Sequence, residues 1–534
     1  MASLRDFAPG VISFDRAEKL QIPERDWTVC PTYLSSWTGW TACPTRRFQA
    51  GNSMKIAFIN LPYERTIVRR YMCTYHSAMM KLAPYELLQL AACAREWNGA
   101  EIRFMDAIAE ECGEAEVHAF LARHRPDIVA ALIGIETVSE DLACMDRIKA
   151  AFPNSTIAAF GYYPTIFPQE ILDKSHVDII LRNEPEKVFS AYLDARKNGT
   201  SVKAIPGLAT RDEQGAVFAN PPERLLDLDA LPFPDFSLCD MKRYEEWLLG
   251  GPCGVILSAR GCPFTCTYCT TTYGRRLVAK KPETVVAELK AMAAQGIRVV
   301  RFLDDTFTFS AKRVIAICKG ILDEGLRVTW SCLGRIDTLD AEMLAWMKKA
   351  GCVRIAVGIE SYSPKVLEYL GKTGDPATFN ARLQLVRDAG IECAGTFMVG
   401  APVETETDFQ QTLRELLRSP IDLIGVNVVT PYAGTPYFDR IKDDLIFSLI
   451  PYECRFRDRQ FMDEAVARER RLYRRFYLRP SIMLRQFRAV LRFPRQSLRL
   501  LGYLLRAGMV NRPISGYEKT YPSHYPGCDR KRNH

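Results

Sequence analysis

The sequence predicts an α/β protein of two successive sheets: a doubly wound, Rossmann-like sheet, then a partial six-stranded α/β barrel with a basic helical region behind it. Three observations predict it. Apolar, β-prone runs alternate with helical patterns from Met54 to about residue 200, and the same alternation recurs from Gly254 to Val429. Such alternation builds parallel sheets covered by helices. Between Gly261 and Thr270 the chain also sets three cysteines directly after the first apolar run of the second series. That is the carboxyl end of a strand, where such barrels collect their chemistry.

In chain order, residues 1–53 are rich in Trp, Pro, Thr and Ser and are expected to form an N-terminal extension. The first sheet is assigned to residues 54–200. Lys55–Leu61 reads as a buried strand ending in a turn at Pro62, and Pro84–Trp97 as a helix. Further strands are expected near Ile102–Met105, Ile128–Ile133, Thr156–Phe160 and Val177–Ile180. Neither Gly-x-Gly-x-x-Gly nor Gly-x4-Gly-Lys-Ser/Thr occurs there, which argues against a nicotinamide or ATP site. Residues 201–245, with Leu231-Pro232-Phe233-Pro234-Asp235, read as a linker.

The barrel is assigned to residues 246–450. Its strands are expected at Gly254–Ser258, Arg298–Leu303, Arg327–Ser331, Arg354–Val357, Ala394–Val399 and Leu423–Val429. The helices between them are expected at Pro282–Gln295, Ala311–Glu324, Ala341–Ala350, Pro376–Ala389 and Thr405–Leu417.

Residues 451–534 are expected to be basic and helical. From Arg455 onward there are 20 Lys/Arg against 6 Asp/Glu, a net +14, so of the total +8 the first 454 residues carry −6. Arg468–Leu478 and Ile482–Leu505 mix arginines with apolar residues at near-helical spacing. One reading is a helical cap on the open side of the barrel, with arginines snorkelling to solvent. Another is a peripheral contact with an anionic membrane face. No nucleic-acid-reading motif is visible. The 534 residues include no apolar run of eighteen, so a spanning helix is not expected. Without a secretory leader, and with an odd 17 cysteines scattered through apolar segments, the chain reads as cytoplasmic with free thiols.

The three-cysteine loop carries the chemistry. Cys262, Cys266 and Cys269 form a Cys-x3-Cys-x2-Cys array. Three thiolates can hold three irons of a cubane cluster and leave the fourth open to a small molecule. A structural zinc site, the alternative, needs a fourth ligand. Cys253 is the nearest candidate, and no histidine lies within forty residues.

With Tyr268 just before the third cysteine, this array resembles the signature of the radical S-adenosylmethionine (radical SAM) enzymes. The resemblance implies a [4Fe-4S] cluster on Cys262, Cys266 and Cys269. Its open iron would chelate S-adenosylmethionine and, once reduced, cleave it to a 5′-deoxyadenosyl radical. Tyr268 would border the adenine, Arg335 meet the methionine carboxylate and Glu360 accept from the ribose. Gly400 would lie at a strand end against the same ligand. Asp304 or Asp305 would contact the methionine amine, or else cap the next helix.

The sheet ahead of the barrel resembles the cobalamin-binding branch of this family, through Asn60-Leu61-Pro62, Phe160-Gly161-Tyr162-Tyr163-Pro164 and Arg182-Asn183-Glu184-Pro185-Glu186. Pro62, Gly161, Tyr162 and Glu184 are the cobalamin contacts this implies. Two departures stand out: Phe160 replaces the usual first glycine of a pair, and no Asp-x-His-x-x-Gly supplies an axial histidine. His76 lacks that context and reads as a structural residue.

The branch implies C-methylation of an unactivated carbon on a small-molecule, lipid or peptide substrate, with an electron donor such as flavodoxin or ferredoxin. Cobalamin-dependent radical oxidation or ring closure without methyl transfer is the alternative. A tRNA methylthiotransferase is disfavoured, because Cys73, Cys93, Cys112 and Cys144 lack the setting of further cluster ligands.

Overall fold

The computed structural model describes residues 53–484 apart from 72–73, 77–79, 98, 247–248 and 271–272, together with residue 491. The N-terminal extension and nearly all of the second basic stretch, Ile482–Leu505, lie outside the described residues. No described helix is long and apolar enough to cross a membrane.

The first sheet contains β1 (Met54–Asn60), β2 (Ala100–Asp106), β3 (Ile128–Leu132), β4 (Thr156–Phe160), β5 (Ile179–Leu181), β6 (Leu208–Arg211) and β7 (Val217–Ala219). Their order is β7-β6-β5-β4-β3-β1-β2. The five strands from β2 to β5 are parallel, and β6 and β7 add antiparallel at the far edge. This is a doubly wound sheet with its switch between β1 and β3. The strands β3 and β4 are buried at every position, as parallel strands covered on both faces must be.

The hairpin β6–β7 falls in the stretch read as linker. Its strands are only four and three residues long, too short for alternation to show. Asp212 closes the turn, accepting from Gln214 and Ala216 N–H, with Gly215 at φ +84°.

The second sheet is wholly parallel, in the order β8 (Cys253–Ile256), β9 (Val299–Phe302), β10 (Thr329–Arg335), β11 (Cys352–Glu360), β12 (Glu392–Val399) and β13 (Leu423–Val428). Strand-to-strand helices at Pro282–Ala294, Ala311–Asp323, Ala341–Lys349, Pro376–Asp388 and Glu406–Arg418 cover its outer face. Side chains alternate across each strand. On β11, Ile355, Val357 and Ile359 are buried toward the helices, while Arg354, Ala356, Gly358 and Glu360 share the inner face.

The amino end of that inner face is filled by the segment just ahead of β8. Glu246 is buried there against Arg301 (3.3 Å) and Arg354 (2.8 Å). Higher up, the inward positions Ala356, Gly358, Ala394, Thr396 and Gly425 are small and stay partly accessible between buried neighbours. The barrel therefore has a plugged floor and an open upper lumen.

Six strands do not close a barrel, so β13 has a free edge, a template for unwanted pairing. The Arg459–Tyr477 helix covers it. Tyr473 Oη accepts from Val426 N–H (2.9 Å) and donates to its carbonyl (3.4 Å). Tyr477 does the same for Ile424, at 3.3 Å in both directions. Arg468 and Arg471 pair with Glu404 and Glu406. In the described part of the basic region, these arginines are spent on the barrel itself.

Replacing Tyr473 and Tyr477 by Phe should destabilise the protein by about 1–2 kcal/mol per lost hydroxyl, because backbone groups on the edge lose their partners. Urea unfolding of the single and double variants measures it.

Candidate active site at the facing strand ends

The two sheets meet by their carboxyl edges. Tyr162, just past β4, donates its hydroxyl to the Ala433 carbonyl past β13 (3.1 Å). Tyr432 donates to Glu136, past β3, at 2.7 Å. Arg70, beyond β1, donates to the Leu303 carbonyl past β9 (3.0 Å). Arg260, past β8, pairs with Glu184 (2.6 Å) and Glu186 (2.5 Å) past β5. Ligands of parallel α/β sheets bind at this edge, and here two such edges face one another.

The cysteine loop sits at the junction. Cys266 is buried, while Cys262 and Cys269 are half-buried. Each sulfur has a donor or hydroxyl nearby or a neighbouring thiol. Phe264 N–H donates to Cys262, whose Sγ lies 3.9 Å from Thr306 Oγ1. Arg335 donates to Cys266 Sγ at 3.6 Å. Burial, with the Asp305 carboxylate and the other thiols adding to it, pushes the Cys262 and Cys269 thiols up. Three thiolates can coexist there only with compensating positive charge. Among the described residues no group of three or more His, Cys, Asp or Glu is set to hold one metal ion. A cubane makes a different demand, one thiolate on each of three irons.

Above the plugged floor, the lumen ends in a second cluster. Glu360 closes β11 in the left-handed region, φ +64°, an uncommon conformation for a non-glycine residue. Its Oε1 accepts from buried Lys372 at 2.7 Å, and the Tyr268 hydroxyl donates to the same carboxylate. Burial, then Glu360, hold the Tyr268 phenol well above its usual range. Gly358 is needed beneath them, since a Cβ there would lie 2.6 Å from Glu360 Oε1 and 2.7 Å from Lys372 Nζ. Arg335 pairs bidentately with Asp337 (2.9 and 2.8 Å), donates to Thr373 (2.9 Å) and lies 3.6 Å from the centre of the Phe264 ring. Cys266, Tyr268, Arg335 and Glu360 are thus brought together. A ligand carboxylate at Arg335 would have Asp337 as its competitor.

The other expected residues have partners within the protein. Asp304 does not point at the cysteine loop: both its oxygens accept from Ser258, at 2.6 Å from N–H and 2.5 Å from the hydroxyl. It holds the end of β8, and the group facing Cys262 and Cys269 is Asp305, its carboxyl pushed up by burial to about 6.

Glu184 has no free edge for a corrin, because Arg260 and Arg224 (2.8 Å) take its two oxygens. Gly400 faces the covering helix. A Cβ there would lie 2.7 Å from Ala465 Cβ, and its φ is +78°. Gly161 is dictated by its own sheet, with φ +137° and a Cβ that would lie 2.5 Å from the Ile133 carbonyl. Pro62 is half-buried at the end of β1, and Tyr162 spans the junction. The His76 side chain lies outside the described part of the structure.

Two residues escaped the sequence reading. Lys372 stands in a Gly-Lys-Thr-Gly turn that carries no functional pattern. Glu136 lies on the facing edge past β3, half-buried, with one oxygen accepting from Tyr432. Desolvation raises its carboxyl to about 7, opposed only by the Tyr432 hydrogen bond.

A raised carboxyl favours the folded state in its protonated form, so this contribution is lost as pH climbs from the unfolded value near 4.5 through 7. Glu136→Gln should therefore gain melting temperature relative to the wild type above pH 7, and this advantage should shrink toward pH 5. Thermal melts of both proteins across that range check the sign.

Comparison with known proteins agrees with this arrangement. The radical SAM superfamily model matches residues 256–416. The chain is 29% identical over 414 residues to an uncharacterized methyltransferase of Pyrococcus horikoshii, covering 75% of this chain and 89% of the relative. It is 26% identical over 457 residues to the anaerobic magnesium-protoporphyrin IX monomethyl ester cyclase of Cereibacter sphaeroides, covering 82% and 74%.

Among solved structures, the cobalamin-dependent S-adenosylmethionine radical enzyme OxsB, with aqua-cobalamin and S-adenosylmethionine bound, superposes with a TM-score of 0.67. It is 18% identical and covers 78% of this chain and 66% of its own. A radical SAM domain implies a [4Fe-4S] cluster and S-adenosylmethionine. The chain is thus an enzyme whose barrel is a radical SAM domain, and its two-sheet fold is that of the cobalamin-dependent radical enzyme OxsB.

Proposed function

We propose that this enzyme carries cobalamin between its two sheets and uses it, with the cluster and S-adenosylmethionine, to methylate an unactivated carbon of a small organic or lipid substrate. The observation that carries the reading is the apposition of carboxyl edges, with the three-cysteine loop on one side and Pro62, Glu136 and Tyr162 on the other. When bound, these cofactors supply a deoxyadenosyl radical to remove a hydrogen atom and a methyl group to replace it.

The chain's own residues divide the work. Cys262, Cys266 and Cys269 hold the cluster, and Arg335 donates toward the Cys266 sulfur. Tyr268, Glu360 and Lys372 form a polar end to the lumen for hydroxyl and amino groups of the nucleoside, with Asp305 nearer the cysteines. The facing edge fits a corrin by its chemistry. Glu136, raised to about 7, is protonated in a good part of the molecules near neutral pH and in that form can donate to an amide carbonyl, the group that rims a corrin. Covering the lumen with the first sheet keeps water from a carbon radical.

The test feeds S-adenosylmethionine carrying a trideuterated methyl group to anaerobic extract of an expressing host. A metabolite that gains one CD3 in place of hydrogen, only with intact Cys262, supports the reading. Label-free products that have lost hydrogen or gained a ring support oxidative closure, the outcome favoured by the cyclase likeness.

A further inference from the structure

The cluster must receive its electron from outside, and the described structure leaves one side of the cysteine loop open. Its inner side faces the lumen and the first sheet, where the Arg260 ion cluster and the Tyr268–Glu360 contact lie. On the outer side Pro263 and Thr265 are exposed, each next to a cysteine of the array.

That edge is basic. The run Gly261–Lys281 contains Arg275, Arg276, Lys280 and Lys281 and no carboxylate. Lys280 is buried on Glu288 (2.6 Å), but Arg275, Arg276 and Lys281 are exposed. Arg275 donates to the Phe264 carbonyl, which places a guanidinium over the backbone between Cys262 and Cys266. Thr267 anchors the next part of the rim. It donates to Leu370 (2.9 Å) and accepts from Tyr437 N–H (2.9 Å), and exposed Arg440 reaches the neighbouring Tyr369 carbonyl (3.3 Å). On the other flank Arg224 donates to the Arg276 carbonyl at 2.9 Å, two residues from Leu226, a large apolar side chain left 56% exposed. Exposed carboxylates also flank the rim, Glu368 and Asp439 on two short helices and Asp227 beside Leu226, while Glu223 pairs with Lys187 and Asp229 accepts from the Lys281 N–H.

We propose that this rim, Pro263–Thr265 with Arg275, Arg276 and Arg440 and the exposed Leu226 beside it, is the docking surface for an acidic one-electron carrier protein. The inference rests on the radical reading above and adds to it where the electron enters. An acidic partner is steered by the arginines, while a small apolar spot gives contact without long residence, which suits a carrier that must leave after each transfer. The step moves one electron: the carrier is oxidised by one, the cluster is reduced by one, and no bond or proton changes hands.

The experiment uses full-length enzyme reconstituted without oxygen and follows 5′-deoxyadenosine formation from S-adenosylmethionine with two donors. One is flavodoxin hydroquinone, an acidic protein, and the other is reduced methyl viologen, a small cation that needs no docking site. The Arg276→Glu/Arg440→Glu variant should lose about tenfold with flavodoxin and nothing with methyl viologen. The wild-type flavodoxin rate should also fall with ionic strength.

Equal flavodoxin rates in variant and wild type would overturn the docking proposal. Failure of the wild type with both donors would instead refute the radical reading. If the double variant fails with both donors, its absorbance will show a lost cluster. Arg276→Glu alone, at an exposed side chain, then makes the same comparison with the same two deciding outcomes.

Discussion

Replacing any one of Cys262, Cys266 or Cys269 by Ala is expected to abolish 5′-deoxyadenosine formation, a loss of three orders of magnitude or more, while leaving the fold intact. The cysteines sit on a loop, with β8 buried behind them, so their removal costs little packing. What is lost is the ligand set, since two thiolates cannot hold a cubane with one open iron. The check is threefold: iron and sulfide content, the broad visible absorption of the cluster, and the rate of S-adenosylmethionine cleavage by reduced methyl viologen. Retained cleavage in all three variants would remove the radical reading altogether. Cys253→Ala provides the contrast. That thiol is buried at the start of β8, and its loss should leave the cluster spectrum unchanged.

Arg260→Met should unlatch the two sheets. Arg260, Glu184 and Glu186 are each no more than 2% exposed in their side chains, and the arginine serves both carboxylates while lying 4.7 Å from the Tyr273 ring centre. Breaking a buried pair from one side strands the other charge and costs about 3–5 kcal/mol. Glu186 would be stranded, while Glu184 would keep Arg224 on one oxygen. Because Arg260 is two residues before Cys262, cluster retention should fall with stability. Urea unfolding and iron content of Arg260→Met test this, and Arg260→Met/Glu184→Gln/Glu186→Gln should recover much of the stability by removing the stranded charge. A single variant as stable as wild type would mean that Arg224 and the neighbouring contacts suffice to join the sheets.

The main features of the fold were legible where periodicity was strong. All six barrel strands and the five helices between them lie within about four residues of the expected ends, because strand, helix and turn residues agree along that stretch. The strand ends are harder to read. β10 runs on to Arg335 and β11 to Glu360, since inward polar residues at a barrel mouth break the apolar run while the backbone pairing continues. The hairpin β6–β7 was hidden by its shortness.

In the site, local motifs were readable and long-range partners were not. The cysteine spacing names a ligand set by itself. Glu184 reads as a cofactor contact until Arg260, 76 residues away, is seen to occupy it. Asp304 and Asp305 are indistinguishable in sequence, and only the turn after β9 decides which one binds Ser258 and which one faces the thiols. Tyr473 and Tyr477 show as an apolar stripe at i, i+4 spacing, with no hint that their hydroxyls finish a sheet edge.

The central claim is that cluster and corrin share the space between the two facing sheets. It is tested most directly by the visible spectrum of protein prepared without oxygen, supplied with iron, sulfide and hydroxocobalamin, and then desalted. Corrin bands in near one-to-one ratio to protein, above the cluster's broad absorption, are the predicted result. A clean iron–sulfur spectrum with no retained corrin would contradict it, leaving a radical enzyme whose first sheet serves only its substrate.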